Sequence, residues 1–138
     1  MMSKKSIKVY VAGPWVRKDE AAAARERLKA EGFTVTSRWI DVPQDVDQND
    51  VEYMTAQGIH DFEDVQRADC VLVLNLEKSE GKAVEQGLAL AWDMPLIIVG
   101  ERSNIFQYLP QVRMMKTLDQ AIGYLNQVEN VLQEVSVG

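Results

Sequence analysis

Two runs of the sequence are almost entirely apolar: CVLVLNL at residues 70–76 and PLIIVG at residues 95–100. A strand with one face in water alternates apolar and polar residues, whereas a strand of a parallel sheet is covered on both faces and is apolar throughout. Parallel neighbours also need a long crossover connection, usually a helix. The segment GKAVEQGLALAW at 81–92 is rich in Ala and Leu and suits that role. The two runs therefore predict a parallel sheet with helices on both sides.

The rest of the chain alternates strands and helices in the same way. Three more strands are predicted: the alternating run IKVYVAG at 7–13, the β-branched and alternating run FTVTSRW at 33–39, and the short VRMMK at 112–116. Further helices are predicted over 17–31, over 49–67, where Gly58 could divide the helix in two, and after Thr117, the expected N-cap of a terminal helix. Turn-rich composition predicts loops at 41–49 and 101–111.

Five strands alternating with helices predict an α/β fold, a doubly wound, flavodoxin-like five-stranded parallel sheet sandwiched by helices. The length of 138 residues suits one domain, so we expect a single domain over 1–138. Ligands of such folds bind beyond the carboxyl ends of the strands. Those ends are followed here by four segments, residues 12–15, 38–39, 75–81 and 101–110.

Composition excludes several classes of function. The net charge of −6 argues against a nucleic-acid polymer as partner, because phosphate-binding surfaces concentrate Lys and Arg. No apolar run approaches the roughly 18 residues that span a bilayer, and the N-terminal run is too short for a signal peptide, so we expect a cytoplasmic protein without membrane contact. Cys70 is the only cysteine, which leaves no intramolecular disulfide or cysteine zinc motif, and it is expected to pack in the core.

Carboxylates are the remaining candidates for chemistry. The sequence has neither the GxGxxG nor the GxxxxGK[ST] phosphate motif, and its lone His60 gives little support for a catalytic triad. Glu85 lies one turn into a helix that begins at the carboxyl end of a strand. An isolated Glu there is often simply solvated and stabilised by the helix dipole. Alternatively, Glu85 and Asp61 converge in the cleft near Tyr10, a set suited to attack at a sugar anomeric carbon.

An ordered set of residues resembles the nucleoside 2-deoxyribosyltransferase superfamily, which includes deoxynucleoside 5′-monophosphate N-glycosidases. The set comprises VYVAGPW at 9–15, then Asp61, Val65, Ala68-Asp69, Gly81, Glu85, Gly87, Ala89 and Pro95. The resemblance implies that Glu85 is the nucleophile, attacking C1′ of deoxyribose to form a covalent glycosyl ester. It further implies that Asp61 is the acid assisting the departing base and that Tyr10 orients Glu85. No metal or organic cofactor is implied.

The resemblance also implies a substrate-binding set, which comprises Gly13, Trp15, Arg38, Trp39, Ser79, Gly81 and Asn104. Trp15 and Trp39 are candidates for stacking on the base, although Trp39 could equally be a core residue. Gly81 leaves room for the sugar, and Arg38 is a candidate phosphate contact. Asn104 matches a region that reaches into the site of a neighbouring subunit, which implies a homo-oligomer with active sites near its interfaces.

Ser79 bears on the reaction. At this place, six residues before Glu85, transferases acting on free nucleosides commonly carry an aspartate, whereas nucleotide hydrolases carry a serine that leaves room for a 5′-phosphate. Ser79 could equally be a helix cap.

The first expectation is transfer of deoxyribose from a nucleoside to another free nucleobase. The alternative is hydrolysis of nucleoside 5′-monophosphates. A second alternative is a non-catalytic nucleotide-binding module or a signalling module similar to TIR domains. In each case the expected partner is a small molecule, a nucleoside, nucleotide or nucleobase.

Overall fold

The computed structural model describes residues 4–137, with side chains up to residue 135. Its strands are β1 (Lys8–Ala12), β2 (Thr34–Val35), β3 (Cys70–Leu74), β4 (Leu96–Val99) and β5 (Val112–Met115). Its α-helices are α1 (Lys18–Ala30), α2 (Val51–Arg67), α3 (Glu80–Ala91) and α4 (Leu118–Val137). Short 3-10 helices span Trp15–Arg17, Arg38–Asp41 and Ile105–Tyr108.

The five strands form one parallel sheet in the order β2-β1-β3-β4-β5. This is the flavodoxin-like order of a doubly wound fold, so the predicted fold class is confirmed. The continuous apolar run of residues 70–74 forms the central strand, between β1 and β4, and every residue of it is buried. Cys70 is among them and packs in the core as predicted.

The second strand is shorter than the predicted 33–39, which is wrong beyond Val35. Thr36 still donates its backbone N–H to the carbonyl of Val9, at 2.9 Å. Beyond it, side chains replace the backbone ladder: the N–H of Val11 donates to Ser37 Oγ at 2.6 Å, and Trp39 Nε1 donates to the carbonyl of Val11 at 2.9 Å. The backbone N–H and carbonyl of Val11 thus have partners without a longer β2. The chain can therefore leave the sheet after Val35 and form the 3-10 helix that begins at Arg38.

The helices follow the predicted order with small differences. Gly58 does not divide α2, which runs unbroken and begins after Asp50, whose side chain accepts from the N–H of Tyr53 at 3.0 Å. Thr117 Oγ1 accepts from the N–H of Gln120 at 3.2 Å, the contact expected of an N-cap. The predicted loop 101–111 contains the 3-10 turn Ile105–Tyr108. Within residues 4–137, no helix combines the length and apolar character that crossing a membrane demands.

Candidate active site

The hydroxyl of Tyr10 donates a hydrogen bond to Oε2 of Glu85. Tyr10 is the middle residue of β1 and is fully buried, with β2 and β3 on either side of its strand. Glu85 lies on the second turn of α3, the helix that follows β3, and is only 9% exposed. Since β1 and β3 are neighbours, the inward face of α3 brings the carboxyl group over the phenol. The solvated alternative for Glu85 therefore does not describe this side chain.

The electrostatics of this pair follow from its burial. The pKa of Glu85 is raised to about 8: burial disfavours the charged form, the hydrogen bond from Tyr10 partly offsets this, and the charge of Asp61 adds to it. The pKa of Tyr10 is raised far above its usual range by burial and by the charges of Glu85 and Asp61. The phenol therefore stays protonated and acts as a hydrogen-bond donor to the carboxylate.

Asp61 lies on α2 and belongs to the same electrostatic cluster. Its pKa is raised to about 6, first by burial and then by the charge of Asp64, while His60 and Arg38 act in the opposite direction. Its Oδ1 atom is buried and has no hydrogen-bond partner within residues 4–137. A buried carboxyl oxygen without a partner is costly unless a ligand satisfies it. A group with this pKa can hold or release a proton near neutral pH, as general acid–base catalysis requires.

The unpartnered carboxyl group of Asp61 borders a cavity of about 250 Å³. The walls of this cavity, which we call the tryptophan cavity, are formed by Trp15, Trp39, Val42, Val46, Gln48, Met54, Gln57 and Asp61. The rings of Trp15 and Trp39 have centroids 6.4 Å apart and are inclined by 36°. A mostly apolar cavity with aromatic walls and a few polar groups suits a heteroaromatic ring.

The two tryptophans differ in their surroundings. Trp39 is buried and its indole N–H is bonded to β1, so it is a core residue whose ring also forms a cavity wall. Trp15 is half-buried, with the ammonium of Lys18 3.6 Å from its ring centroid. Lys18 Nζ also donates to the carbonyls of Trp39, at 3.2 Å, and Val42. Lys18 therefore contacts residues on both sides of the cavity, Trp15 on one side and Trp39 and Val42 on the other. Gly13 lies beside this wall, where an added Cβ would be 3.9 Å from Cη2 of Trp39, an ordinary contact.

The first turn of α3 contributes a second group of predicted residues. Ser79 is the N-cap of this helix, since its Oγ accepts from the N–H of Lys82 at 3.3 Å. Gly81 is exposed, and the nearest atom to an added Cβ would be Ser79 Oγ at 4.0 Å. Ser79 and Asn104 line one cavity of about 460 Å³, which we call the α3 cavity; it also contains Lys78, Glu80, Lys82, Ala83, Gln86 and Ser103. Asn104 Oδ1 caps the following 3-10 turn, accepting from the N–H of Phe106 at 3.0 Å.

Lys82 is a buried cation that the sequence analysis did not identify. Its Nζ donates to Asn75 Oδ1 at 2.9 Å and to the carbonyl of Glu77, and burial lowers its pKa. Lys82 precedes Glu85 by three residues, so the two share a helix face. That spacing was the one signal in the sequence that could have pointed to it.

A chain of amides holds the loops around the α3 cavity, and this too was not predicted. The backbone N–H of Ser103 donates to Oε1 of Gln107 at 2.7 Å, and Nε2 of Gln107 donates to Oε1 of Gln86 at 2.9 Å. Asn75 joins the same network through its amide, which donates to the carbonyl of Glu101. The loop after β4 is thereby fixed against α3 and the end of β3.

Arg38 lies outside both cavities. Its guanidinium pairs with the fully buried Asp64, with Nε 2.9 Å and Nη2 2.8 Å from Oδ1, and Arg67 Nη2 reaches the same oxygen at 2.7 Å. Arg38 lines a separate groove of about 690 Å³ along the edge of β2. This groove is larger than either cavity but contains neither Glu85 nor Asp61, whereas the smaller tryptophan cavity contains Asp61.

Within residues 4–137, no three His, Cys, Asp or Glu side chains come together in a way that could hold a metal ion. The polar groups that the structure brings into one electrostatic cluster are a phenol and two carboxyl groups of raised pKa. This set can carry out nucleophilic and acid–base steps.

The strand order and the helices on both sides of the sheet place the chain among doubly wound, flavodoxin-like α/β proteins. No protein-family model and no curated protein matches the sequence. Solved structures do. A 2-deoxyribosyltransferase from the psychrotolerant bacterium Bacillus psychrosaccharolyticus matches with a TM-score of 0.64 and 20% identity over 83% of this chain and 90% of that one. The CMP N-glycosidase BcmB of Clostridium botulinum matches with a TM-score of 0.54 and 14% identity over 87% and 98%. The chain thus has the fold of these two enzymes.

Proposed function

We propose that this protein cleaves the N-glycosidic bond of 2′-deoxyribonucleosides or their 5′-monophosphates through a covalent intermediate on Glu85. The observation that carries the proposal is the hydrogen bond from the buried Tyr10 to the buried Glu85. A carboxyl group with one fixed donor, little water and a raised pKa has the environment of a catalytic group. The two solved structures of the same fold are those of a deoxyribosyltransferase and an N-glycosidase, which agrees with this chemistry.

The reaction proceeds in two displacements at one carbon. The ionised carboxylate of Glu85 attacks C1′ of the sugar, the C1′–N bond breaks, and its electron pair leaves with the base, which takes a proton from Asp61. A nitrogen of a second base, or the oxygen of water, then attacks C1′ and releases the Glu85 carboxylate. The incoming group gives its proton to the Asp61 carboxylate. Two inversions retain the configuration of the sugar.

The tryptophan cavity is the proposed position of the departing base. It is largely apolar, and its wall includes Asp61, the residue with the unpartnered oxygen. A base nitrogen placed there would satisfy that oxygen and receive its proton. Trp15 and the exposed part of the Trp39 ring supply the stacking surface, since aromatic side chains bind flat rings at small entropic cost.

Transfer to a second base is the first activity that we propose, and hydrolysis of a nucleoside 5′-monophosphate is the second. The second is favoured by the α3 cavity, where Ser79 stands with Lys78 and Lys82. These lysines bring positive charge to the start of α3, where they offset the carboxylate of Glu80 in the same cavity, and the serine adds no negative charge to repel a phosphate. The buried position of Glu85, bonded to Tyr10, favours either enzyme over a non-catalytic or signalling module.

The test is incubation with deoxynucleosides and with deoxynucleoside monophosphates, each with and without a second free base, followed by chromatography of the bases. Base exchange without net loss establishes transfer, and base release from monophosphates alone establishes hydrolysis. Glu85→Gln should lower either rate by at least about a thousandfold, because the amide cannot form the ester. The control is Glu63→Gln, the same change at an exposed position of α2. Normal turnover by Glu85→Gln would refute the mechanism.

A further inference from the structure

Gln57 shares a face of α2 with Asp61, one turn earlier, and both line the tryptophan cavity. Within residues 4–137 the Gln57 amide makes no hydrogen bond, and the Oδ1 atom of Asp61 has no partner either. Two neighbouring polar groups on one helix, both without partners within the described residues, therefore border a largely apolar cavity. Such an arrangement suits a ligand with two polar atoms side by side on its edge.

We propose that Gln57 is the residue that determines which nucleobases are accepted. It forms a hydrogen bond with the exocyclic group next to the ring nitrogen that Asp61 protonates. This inference rests on the proposed function for the presence of a base in the cavity. In a purine, the 6-substituent lies next to N7 on the same edge, and a glutamine amide can pair with such an edge. The base is thereby read by one helix at two adjacent positions.

An amide side chain can form a hydrogen bond with either kind of exocyclic group. Its carbonyl oxygen accepts from a 6-amino group and its NH₂ group donates to a 6-oxo group. Because Gln57 has no other hydrogen bond within the described chain, rotating the amide by half a turn exchanges the two at little cost. Amino and oxo bases are therefore both accepted.

The other polar side chain in the wall of the tryptophan cavity is Gln48, which is exposed and lies on the loop before α2. Its position is not fixed by a helix, so it discriminates less than Gln57. The remaining walls are apolar and respond to the size of the base only.

Deoxyadenosine and deoxyinosine differ in the 6-substituent and, as a consequence, in the proton on N1. They provide the test, used as nucleosides or as 5′-monophosphates according to the form that the wild type cleaves. We expect the wild-type kcat/KM values to agree within about tenfold. Gln57→Glu replaces the NH₂ donor with a second acceptor, so it should favour the 6-amino base by about tenfold or more over the 6-oxo base. Gln66→Glu, the same change at an exposed position of α2 outside the cavity, should leave the ratio unchanged.

Binding provides a second readout that does not depend on turnover. Calorimetric affinities of free adenine and hypoxanthine for the wild type and for Gln57→Glu should show the same shift in ratio. An unchanged ratio in both measurements, or an equal shift in Gln66→Glu, overturns the role of Gln57. Should the wild type cleave no nucleoside or nucleotide, the proposed function fails; the binding ratio then still decides the assignment of Gln57, and absence of base binding by the wild type overturns it too.

Discussion

Glu85 and Asp61 are two carboxyl groups that both exchange protons near neutral pH. The proposed first step needs Glu85 ionised and Asp61 protonated, whereas the pKa of about 8 for Glu85 and about 6 for Asp61 place the proton more often on Glu85. The two protonation states interconvert, and their apparent pKa values belong to the pair. The hydrogen bond from Tyr10 acts in the productive direction, since it lowers the pKa of Glu85. Tyr10 therefore adjusts the nucleophile electrostatically as well as orienting it.

Tyr10→Phe tests this role of the phenol. Loss of one charge-assisted hydrogen bond raises the pKa of Glu85 by about one unit, so the ionised fraction below pH 8 falls about tenfold. We expect kcat/KM of the variant to be about tenfold low at pH 6 and to approach the wild-type value only above about pH 9, as Glu85 becomes largely ionised in both proteins. The measurement is a profile of kcat/KM against pH.

Tyr53→Phe, on the first turn of α2, is the matched control and should follow the wild type. A deficit of Tyr10→Phe that is the same at every pH would leave orientation as the only function of the hydroxyl.

At the scale of elements, α2 connects the site to the irregular segment after β2. Its buried Asp64 accepts from the backbone N–H of Arg38 at 2.9 Å and from the guanidinium groups of Arg38 and Arg67. Trp39, the next residue, forms a wall of the tryptophan cavity, so these contacts hold that wall against the helix that carries Asp61. Burial alone would raise the pKa of Asp64, but the hydrogen bonds from the two arginines overcome it and lower that pKa.

Asp64→Asn should therefore destabilise the fold. Removing one partner of a buried ion pair costs several kcal/mol, and because both arginines are half exposed we expect a loss of about 2 kcal/mol in the free energy of unfolding at pH 7. A lowered pKa stabilises the fold above the unfolded value and loses that effect as pH falls through the folded value. Denaturant unfolding at pH 7 and pH 3 should show the difference from wild type shrinking in acid. Asp45→Asn, in the exposed loop, should have no effect at either pH.

The elements themselves could be predicted because they depend on local pattern. The apolar run at 70–74 and the alanine-rich segment at 81–91 have the periodicity of a buried strand and a helix, and both are present. The end of β2 could not be predicted, because FTVTSRW has strand composition throughout and is diverted only by contacts of Ser37 and Trp39 with β1. Lys82 and Gln107 were missed for the same reason, since long-range polar pairing leaves no periodic signal.

At the scale of the whole molecule, topology makes the site foreseeable in outline. Tyr10 and Glu85 are 75 positions apart in the chain, yet the strand order puts β1 beside β3, and the helix after β3 returns over both. The same rule does not extend to Asn104 or Arg38, which also follow strand ends but bond to a local turn and to Asp64. A position after a strand end is thus not sufficient for a site residue; the partners of its side chain in space decide whether it belongs to the site.

An exposed apolar turn beside the α3 cavity bears on the proposed homo-oligomer. Ile105, Phe106 and Tyr108 are 76%, 59% and 68% exposed, and they follow Asn104 directly. Apolar residues clustered in this way are typical of a protein interface. We propose that a second copy of this chain, joined about a two-fold axis, buries this turn, with Asn104 beside it at the interface.

Mixing two variants tests whether the sites are shared between subunits. If Asn104 acts in the neighbour's site, Asn104→Ala and Glu85→Gln are each inactive, but a mixed dimer contains one site with both an intact Glu85 and an intact Asn104. We expect partial activity to return after the two variants are mixed and allowed to exchange subunits. A mixture that stays inactive, although sedimentation shows mixed dimers, would assign Asn104 to its own subunit.

Phe106→Ser should shift the protein towards monomer in sedimentation velocity, whereas Val51→Ser, at a 77% exposed position of α2, should not. A wild type that is monomeric at micromolar concentration would contradict the oligomer itself.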